Sequence, residues 1–412
     1  MQSVLQCNTD MISTAEDIIQ NCFPNLWANI QMKSIYRIVL LLFLLCFVTA
    51  ETFAVAPKKT VAHRDSTGMT KAQRDWNKFV TFADNWFSRG IDTTYLVLPK
   101  YRWRVALNSE AGAVHTFLKA NDVPFYGDIK SQFNSNVTPK LGLQLSFRNL
   151  NVGYSMDLYK GYSNFSLSMV QNAFGLEILR RKTFYANGYI DASEVEDKTK
   201  IEAGDISVTT LFVAAYFAFN RKKFSMPAAF NQSFIQRKSA GSVLAYIDFR
   251  YSDLAFEKES YMTRAGGLHE LEMYQLAIGV GYGYNYTPNN GKVLLHLSVT
   301  PMLSVFNHTL MTGDSRMFWH NDDEDYNLVF SRKLKGRYPV FFTGMVRAAV
   351  VWNINDRLVL ALTGVCNNIR FRMRDKMFDI DREDIDLYYN TVVNGSIMTW
   401  DWKTNIVFGV RF

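Results

Sequence analysis

The sequence predicts an all-β protein, a transmembrane antiparallel up-and-down β-barrel of about 12 strands (range about 10–14) with a short N-terminal periplasmic helix. Three observations predict it. The last segment alternates strictly: Trp400, Trp402, Thr404, Ile406, Phe408, Val410 and Phe412 fall on one face, and Asp401, Lys403, Asn405, Val407, Gly409 and Arg411 on the other. Successive strand side chains point to opposite faces, so one face is aromatic and aliphatic while the other is mostly polar. Mean hydropathy is −0.09, yet aromatic residues make up 15% of the chain. No apolar run outside residues 38–48 approaches the length of a spanning helix, about 20 residues. Finally, a basic, apolar, small-residue order marks an export signal.

That signal begins at Met32. Lys33 and Arg37 precede the apolar run Ile38 to Val48, and Ala50, Ala54 and Ala56 offer cleavage sites. Residues 1–31 read as a non-native or upstream extension, 32–56 as the signal peptide, 57–92 as a periplasmic segment and 93–412 as the barrel. Cys7, Cys22 and Cys46 precede the cleavage zone, which leaves Cys366 without an intramolecular disulfide partner. The formal charge is +7; taking away residues 1–56 removes two bases (Lys33, Arg37) and four acids (Asp10, Glu16, Asp17, Glu51), leaving +9. The bases lie on strands opposite apolar residues, so a polar lumen fits better than nucleic-acid binding.

Within the periplasmic segment, Trp76, Phe79, Val80, Ala83 and Phe87 form one helical stripe ended by Gly90, read as a helix capping the barrel rim in preference to a plug or an interfacial helix. Strands follow near 101–108, 141–148, 152–158, 165–170, 176–189, 208–219, 243–251, 274–286, 293–303, 340–354, 357–365 and 397–412. Tyr274 to Tyr286 alternates cleanly, and Asn289-Asn290-Gly291 is a hairpin signal. Counting back from a periplasmic C-terminus puts short connections inside and long ones, near 109–138, 190–206, 253–272, 306–338 and 370–396, outside. Asn220 to Gly241 breaks the rule. It is long where a short turn belongs, so either it folds back as an ordered element or a hairpin is missing from the count.

Two stretches carry a family resemblance. Phe219-Asn220-Arg221-Lys222-Lys223-Phe224-Ser225-Met226-Pro227-Ala228-Ala229-Phe230-Asn231-Gln232-Ser233, with Gln236-Arg237-Lys238-Ser239-Ala240-Gly241-Ser242, is one. Gly90-Ile91-Asp92-Thr93-Thr94-Tyr95 with Tyr101-Arg102-Trp103 is the other. Both resemble an uncharacterised outer-membrane β-barrel family of Bacteroidota, a domain of unknown function, over roughly Lys71 to Phe412. The resemblance implies a fold and a bacterial outer-membrane location, and no activity.

Candidate chemistry is sparse. Strand parity collects Arg102, Arg104, Arg148, Arg250, Arg347, Arg357, Lys403 and Arg411 on the lumen face, against Asp157, Asp248 and Asp401. A cationic pore wall preferring anionic solutes and a filled interior of ion pairs remain two open readings. Arg370, Arg372 and Arg374 alternate with Ile369, Phe371 and Met373 in a parity shifted from Leu358, Leu360 and Leu362. That shift predicts a bulge near Cys366 to Asn368. Acidic runs at 322–325 and 379–386 lack the EF-hand spacing and read as solvated loops. His296 and Ser298 share one lumenal face, while the other histidines fall outside the clearest strands.

The expected protein is a porin-like outer-membrane barrel of a Gram-negative cell: a narrow pore with a net-basic lumen, or a structural barrel with a filled lumen and displayed loops. A lipid-modifying enzyme ranks third, and neither catalytic residues nor a cofactor or metal is expected. Its partners are outer-membrane lipid and lipopolysaccharide, together with the barrel-assembly machinery and periplasmic chaperones. The machinery would read Trp400, Trp402, Phe408 and Phe412.

Overall fold

The computed structural model describes residues 71–87, 90–123, 127–137, 139–157, 163–193, 198–257, 268–314, 329–335, 341–376 and 392–412. The segments read as signal peptide and upstream extension, and both acidic runs, lie outside these residues. Helix α1 (Lys71–Phe87) comes first. Gly90 follows with φ +74°, a left-handed conformation that ends the helical path without a side-chain clash. The strands, in chain order, are β1 (Leu96–Val97), β2 (Trp103–Val123), β3 (Gly127–Asn134), β4 (Lys140–Phe147), β5 (Leu150–Asp157) and β6 (Ser163–Val170). Next come β7 (Phe174–Phe184), β8 (Asn187–Ala192), β9 (Thr199–Ile201) and β10 (Ile206–Ala218). Helix α2 (Met226–Phe230) and β11 (Ile235–Gln236) precede β12 (Ala240–Phe256), β13 (Leu268–Tyr286) and β14 (Val293–Asp314). The last strands are β15 (Val329–Lys335), β16 (Phe341–Asn353), β17 (Leu358–Lys376) and β18 (Val392–Arg411).

Twelve of these strands form a closed antiparallel ring: β2, β4, β5, β6, β7, β10, β12, β13, β14, β16, β17 and β18, with β18 pairing back onto β2. Closure leaves no hydrogen-bonding edge, which is what allows strands to cross a lipid bilayer. Trp103 and Phe412 exchange backbone bonds of 3.1 and 3.0 Å at the end where the ring starts and stops, here the near end. Near-end connections are short at 148–149, 171–173, 287–292 and 354–357. The exception, 219–239, conceals no missing hairpin: it leaves the wall and folds into the barrel.

Several strands run further than their sequence patterns suggest. β2 reaches Val123, β14 Asp314 and β17 Lys376, through stretches read as outer loops. Segment 127–134, also read as loop, forms β3 and continues the sheet through β8 and β9 beside β2. The reason is visible in β13. Near the termini its outward residues Ile278, Val280, Tyr282, Tyr284 and Tyr286 are exposed, while inward ones are Gly279, Gly281, Gly283 and Asn285. Towards the far end the identities exchange: Glu270 and Glu272 turn outward, and Leu271 and Met273 are buried inside. The near zone is apolar outside and small or polar inside; the far zone has an apolar interior built from Val114, Phe133, Ile190, Leu254, Phe371 and Ile397 among others.

The same exchange corrects the predicted bulge on β17. Pairing with β18 is continuous from Leu358 to Lys376. Val359, Ala361, Ile369 and Phe371 all lie inside, so Arg370 keeps the outward parity of Leu358. The backbone keeps its register, and only the residue types switch. A bulge does occur on β14, where Leu276 pairs Phe306 and Ala277 pairs Ser304, leaving Val305 extra and both Val305 and Phe306 exposed.

Helix α1 lies against the near rim. Asp84 accepts from Arg148 Nε (2.6 Å) and Arg102 Nε (3.1 Å), and Val80 is buried beside Phe147. Trp76 approaches Phe147 with ring centroids 5.8 Å apart.

Candidate functional site

The candidate site is the barrel interior, and its main feature is the chain that fills it. Ser225 caps α2 by accepting from the Ala228 amide, and Pro227 sits in the first turn, where its missing N–H is harmless. The small residues Ala228 and Ala229 let this turn fit inside the ring; Phe224, Ser225, Ala229, Phe234 and Gln236 are all at most 1% exposed. Phe224 and Met226 pack with Leu244, Tyr246 and Met302, and Phe234 packs with Leu294, Val351, Val359 and Val407. Segment 220–239 is therefore a plug whose apolar residues occupy the inner face of the near zone.

Polar bonds hold it at both ends. Gln236 uses all four amide positions: Oε1 accepts from the Ser225 amide (3.1 Å) and Asn285 Nδ2 (2.7 Å), while Nε2 donates to the Lys223 (2.6 Å) and Lys238 (2.9 Å) carbonyls. Gln232 accepts from Arg104 Nη1, and its carbonyl accepts from Arg411. At the rim β11 pairs β1, the Asp92 amide donates to the Lys222 carbonyl (2.9 Å), and the Arg237 amide to the Tyr95 carbonyl (2.7 Å). Both stretches that carried the family resemblance thus meet in one structure.

The charged residues that parity assigned to the lumen fall into two groups. Arg104, Arg250, Arg347, Arg411, Asp157 and Asp248 are buried, and Lys403 and Asp401 point inward half-buried. Arg102, Arg148 and Arg357 are corrections. Arg102 is exposed and Arg148 sits in the β4–β5 turn, both holding Asp84 of α1, while Arg357 lies in the β16–β17 turn over the Tyr101 ring. They end strands rather than line them, so alternation carried one residue too far gives the wrong face.

The inward charges are largely paired. Arg347 grips Glu177 with two bonds of 2.9 Å, and its guanidinium lies 5.6 Å from the Phe230 ring and 5.5 Å from Tyr246. Arg250 pairs with Asp248, Arg181 with Asp401 at 2.6 Å, and Lys403 with Glu110 at 3.5 Å. Asn164 links Lys140 (3.0 Å) to Glu110 (2.7 Å). Glu177, Glu110, Lys140 and Arg181 were missed in the sequence. Glu110 and Lys140 fall just beyond the strands read at 101–108 and 141–148, and Glu177 and Arg181 lie on the weakly alternating stretch 176–189. The ion-pair partners of Glu177, Arg181 and Glu110 are 170 or more positions away.

His296 Nε2 lies 3.0 Å from Ser298 Oγ, and its Nδ1 lies 2.7 Å from Asn285 Oδ1. A nucleophile, base and orienting group in this order form the arrangement of serine hydrolases. Here it is sealed: Phe230 stands edge-on to the imidazole at 5.2 Å and Ser298 is 2% exposed. His115, His269 and His308 also lie on strands β2, β13 and β14, contrary to the sequence reading, and His115 Nδ1 meets Asn134 at 2.9 Å.

Residues 90–388 match the family model described as Domain of unknown function (DUF4421). The chain belongs to this family. The DUF4421 match includes the plug and β1 and ends before the closing strand. No curated protein matches the chain. Among solved structures, it resembles the outer membrane protease OmpT from Escherichia coli (9% identity, 76% of this chain and 97% of that one, TM-score 0.34). It also resembles the translocator domain of autotransporter NalP from Neisseria meningitidis (8%, 84% and 100%, TM-score 0.31) and the outer membrane protein OprG from Pseudomonas aeruginosa (11%, 76% and 97%, TM-score 0.26). The near zone of the closed ring exposes Leu143, Val280, Leu297, Phe342 and Ile406, the apolar outer surface of a membrane-spanning barrel.

Proposed function

We propose that this DUF4421 chain is an outer-membrane β-barrel with a filled, non-conducting interior. It serves as a structural or interaction protein of the envelope, with α1 and the plug facing the periplasm and the long connections outside. One observation carries this reading: segment 220–239 packs inside the ring and is bonded to its wall. The pairing of Arg250, Arg347 and Arg181 with carboxylates supports it further, because neutralised arginines make a poor anion-selective wall. The test is planar-bilayer recording of the purified, heat-modifiable barrel. No steady conductance is expected from the native chain, and channels are expected when residues 222–238 are replaced by a short Gly/Ser linker. Steady ohmic conductance from the native chain would restore the narrow basic pore.

A second reading, a latent serine hydrolase, is favoured by the Ser298–His296–Asn285 chain of contacts alone. Treatment with a fluorophosphonate probe separates the two. The filled-barrel reading expects no label on Ser298, in the native chain or in the linker variant. Labelling that disappears in Ser298→Ala would establish the enzyme.

A further inference from the structure

Arg104 on β2 and Arg411 on β18 are direct cross-strand partners, 4% and 2% exposed. Like charges directly opposite one another repel, and burial removes the solvent that would screen them. Among the described residues both meet only neutral acceptors. Arg104 donates to Gln232 Oε1 and to Ser146 Oγ (3.0 Å), and Arg411 to the Gln232 carbonyl (3.3 Å) and Asn353 Oδ1 (2.9 Å). Asp356 acts on Arg411 only from beyond ion-pair distance. Arg104 Nε, Arg411 Nε and Nη1, and Ser233 Oγ are buried with no hydrogen-bond partner. All three residues line one near-end cleft, together with Ser146 and Asn231. The wall makes room for this charge: a Cβ on Gly409 would come within 3.1 Å of Arg104 Cδ.

We propose that this cleft binds a phosphate-type oxyanion between Arg104, Arg411 and Ser233. Water fills donors but cannot offset two buried positive charges. A single oxyanion supplies both the charge and several acceptors, and guanidinium and hydroxyl groups are its usual donors. The cleft is small, and one such group is the most it could take. Free phosphate from the periplasm and the phosphate of a lipid head group at the rim share this chemistry. Because Gln232 lies between the two arginines, the bound anion also secures the plug. The site goes beyond the filled-barrel reading and rests on only one part of it, the plug being seated inside the ring, since Gln232 and Ser233 belong to the plug.

The test is thermal unfolding of the purified full chain in zwitterionic detergent, with inorganic phosphate against chloride at matched ionic strength. The native chain is expected to gain a few °C in phosphate, as a ligand that binds only the folded form requires. Arg411→Gln and Ser233→Ala should lose or weaken that gain, and Arg370→Gln, outward at the far end, should keep it. A gain with inorganic phosphate identifies a free anion; a gain only with phosphatidylglycerol in mixed micelles identifies a lipid source. Absence of both gains in the native chain overturns the proposal, as does a full gain in Arg411→Gln. Should Arg411→Gln fail to fold, 31P line broadening of inorganic phosphate by the native chain, set against Ser233→Ala, decides in the same way.

Discussion

Replacing Gln236 by leucine should release the plug without dissolving the barrel. The side chain is 1% exposed and makes four hydrogen bonds, to Ser225, Asn285, Lys223 and Lys238. Two of those partners, the Ser225 amide and Asn285 Nδ2, lie deep, and losing an acceptor costs each about 1–3 kcal/mol. Asn285 Nδ2 keeps a 2.8 Å bond to the Ser225 carbonyl, which puts its loss at the low end. The Lys223 and Lys238 carbonyls sit at exposed residues on the rim, where water replaces the lost donor. Leucine recovers some apolar burial. The expected cost is about 2–3 kcal/mol, or roughly a 30- to 150-fold larger open population. Trypsin reads this population directly. The bonds it would cut after Lys222, Lys223 and Lys238 all have their carbonyls hydrogen-bonded in the closed plug. Proteolysis of a transiently open segment tracks its equilibrium population when closing is faster than cleavage. Cleavage within 221–238 should therefore accelerate by that factor in Gln236→Leu, while heat-modifiable migration of the barrel persists. Unchanged cleavage would refute the argument that this amide anchors the plug.

Four further outcomes are expected. Phe234→Ala removes a 1%-exposed ring from the near-zone cluster and should cost about 3–5 kcal/mol, read as a lower urea midpoint. Glu177→Gln leaves Arg347 without its carboxylate; because the Glu177 side chain is 24% exposed, the loss should fall to about 2 kcal/mol, below the 3–5 of a sealed pair. Adding Arg347→Met should recover most of it in a double-mutant cycle. The Thr94 hydroxyl, and then the Thr94 amide, hold the Asp92 carboxyl below its usual 3.8. Its contribution is therefore complete above pH 3.8 and fades as the pH falls further, so native and Asp92→Asn melting curves should differ at neutral pH and converge in acid. Phe412→Ala should lower the fraction of folded barrel recovered from outer membranes, with unfolded chain accumulating in the periplasm.

The fold was legible wherever lipid and lumen impose opposite demands on neighbouring residues. In β13 and β18 the alternation gave strand and face together, the pass along the chain gave about twelve strands where the ring has twelve, and counting back from Phe412 sorted the short connections from the long ones. It failed where those demands change. The far ends of β2, β14 and β17 exchange apolar and polar faces, so a pattern tuned to lipid reads them as loop or bulge. The plug was legible as an anomaly of length at Asn220 to Gly241. Its burial was not, because Phe224 and Phe234 are covered by strands as distant as β16 and β17. Parity offered no partner for any arginine, since neither Glu177 nor Asp401 is near its arginine in the chain.

A sheet that exchanges its faces half-way along answers to two solvents. In the near zone the outer wall is matched to acyl chains, so its stability shifts with detergent or lipid length. The far zone has an apolar interior beneath a wall carrying Glu270, Glu272 and Arg370, and it is held by water's avoidance of Leu271, Phe371 and Ile397. That force weakens on cooling. Chilling should therefore loosen the far zone first, while the lipid-matched ring beneath it stays shut.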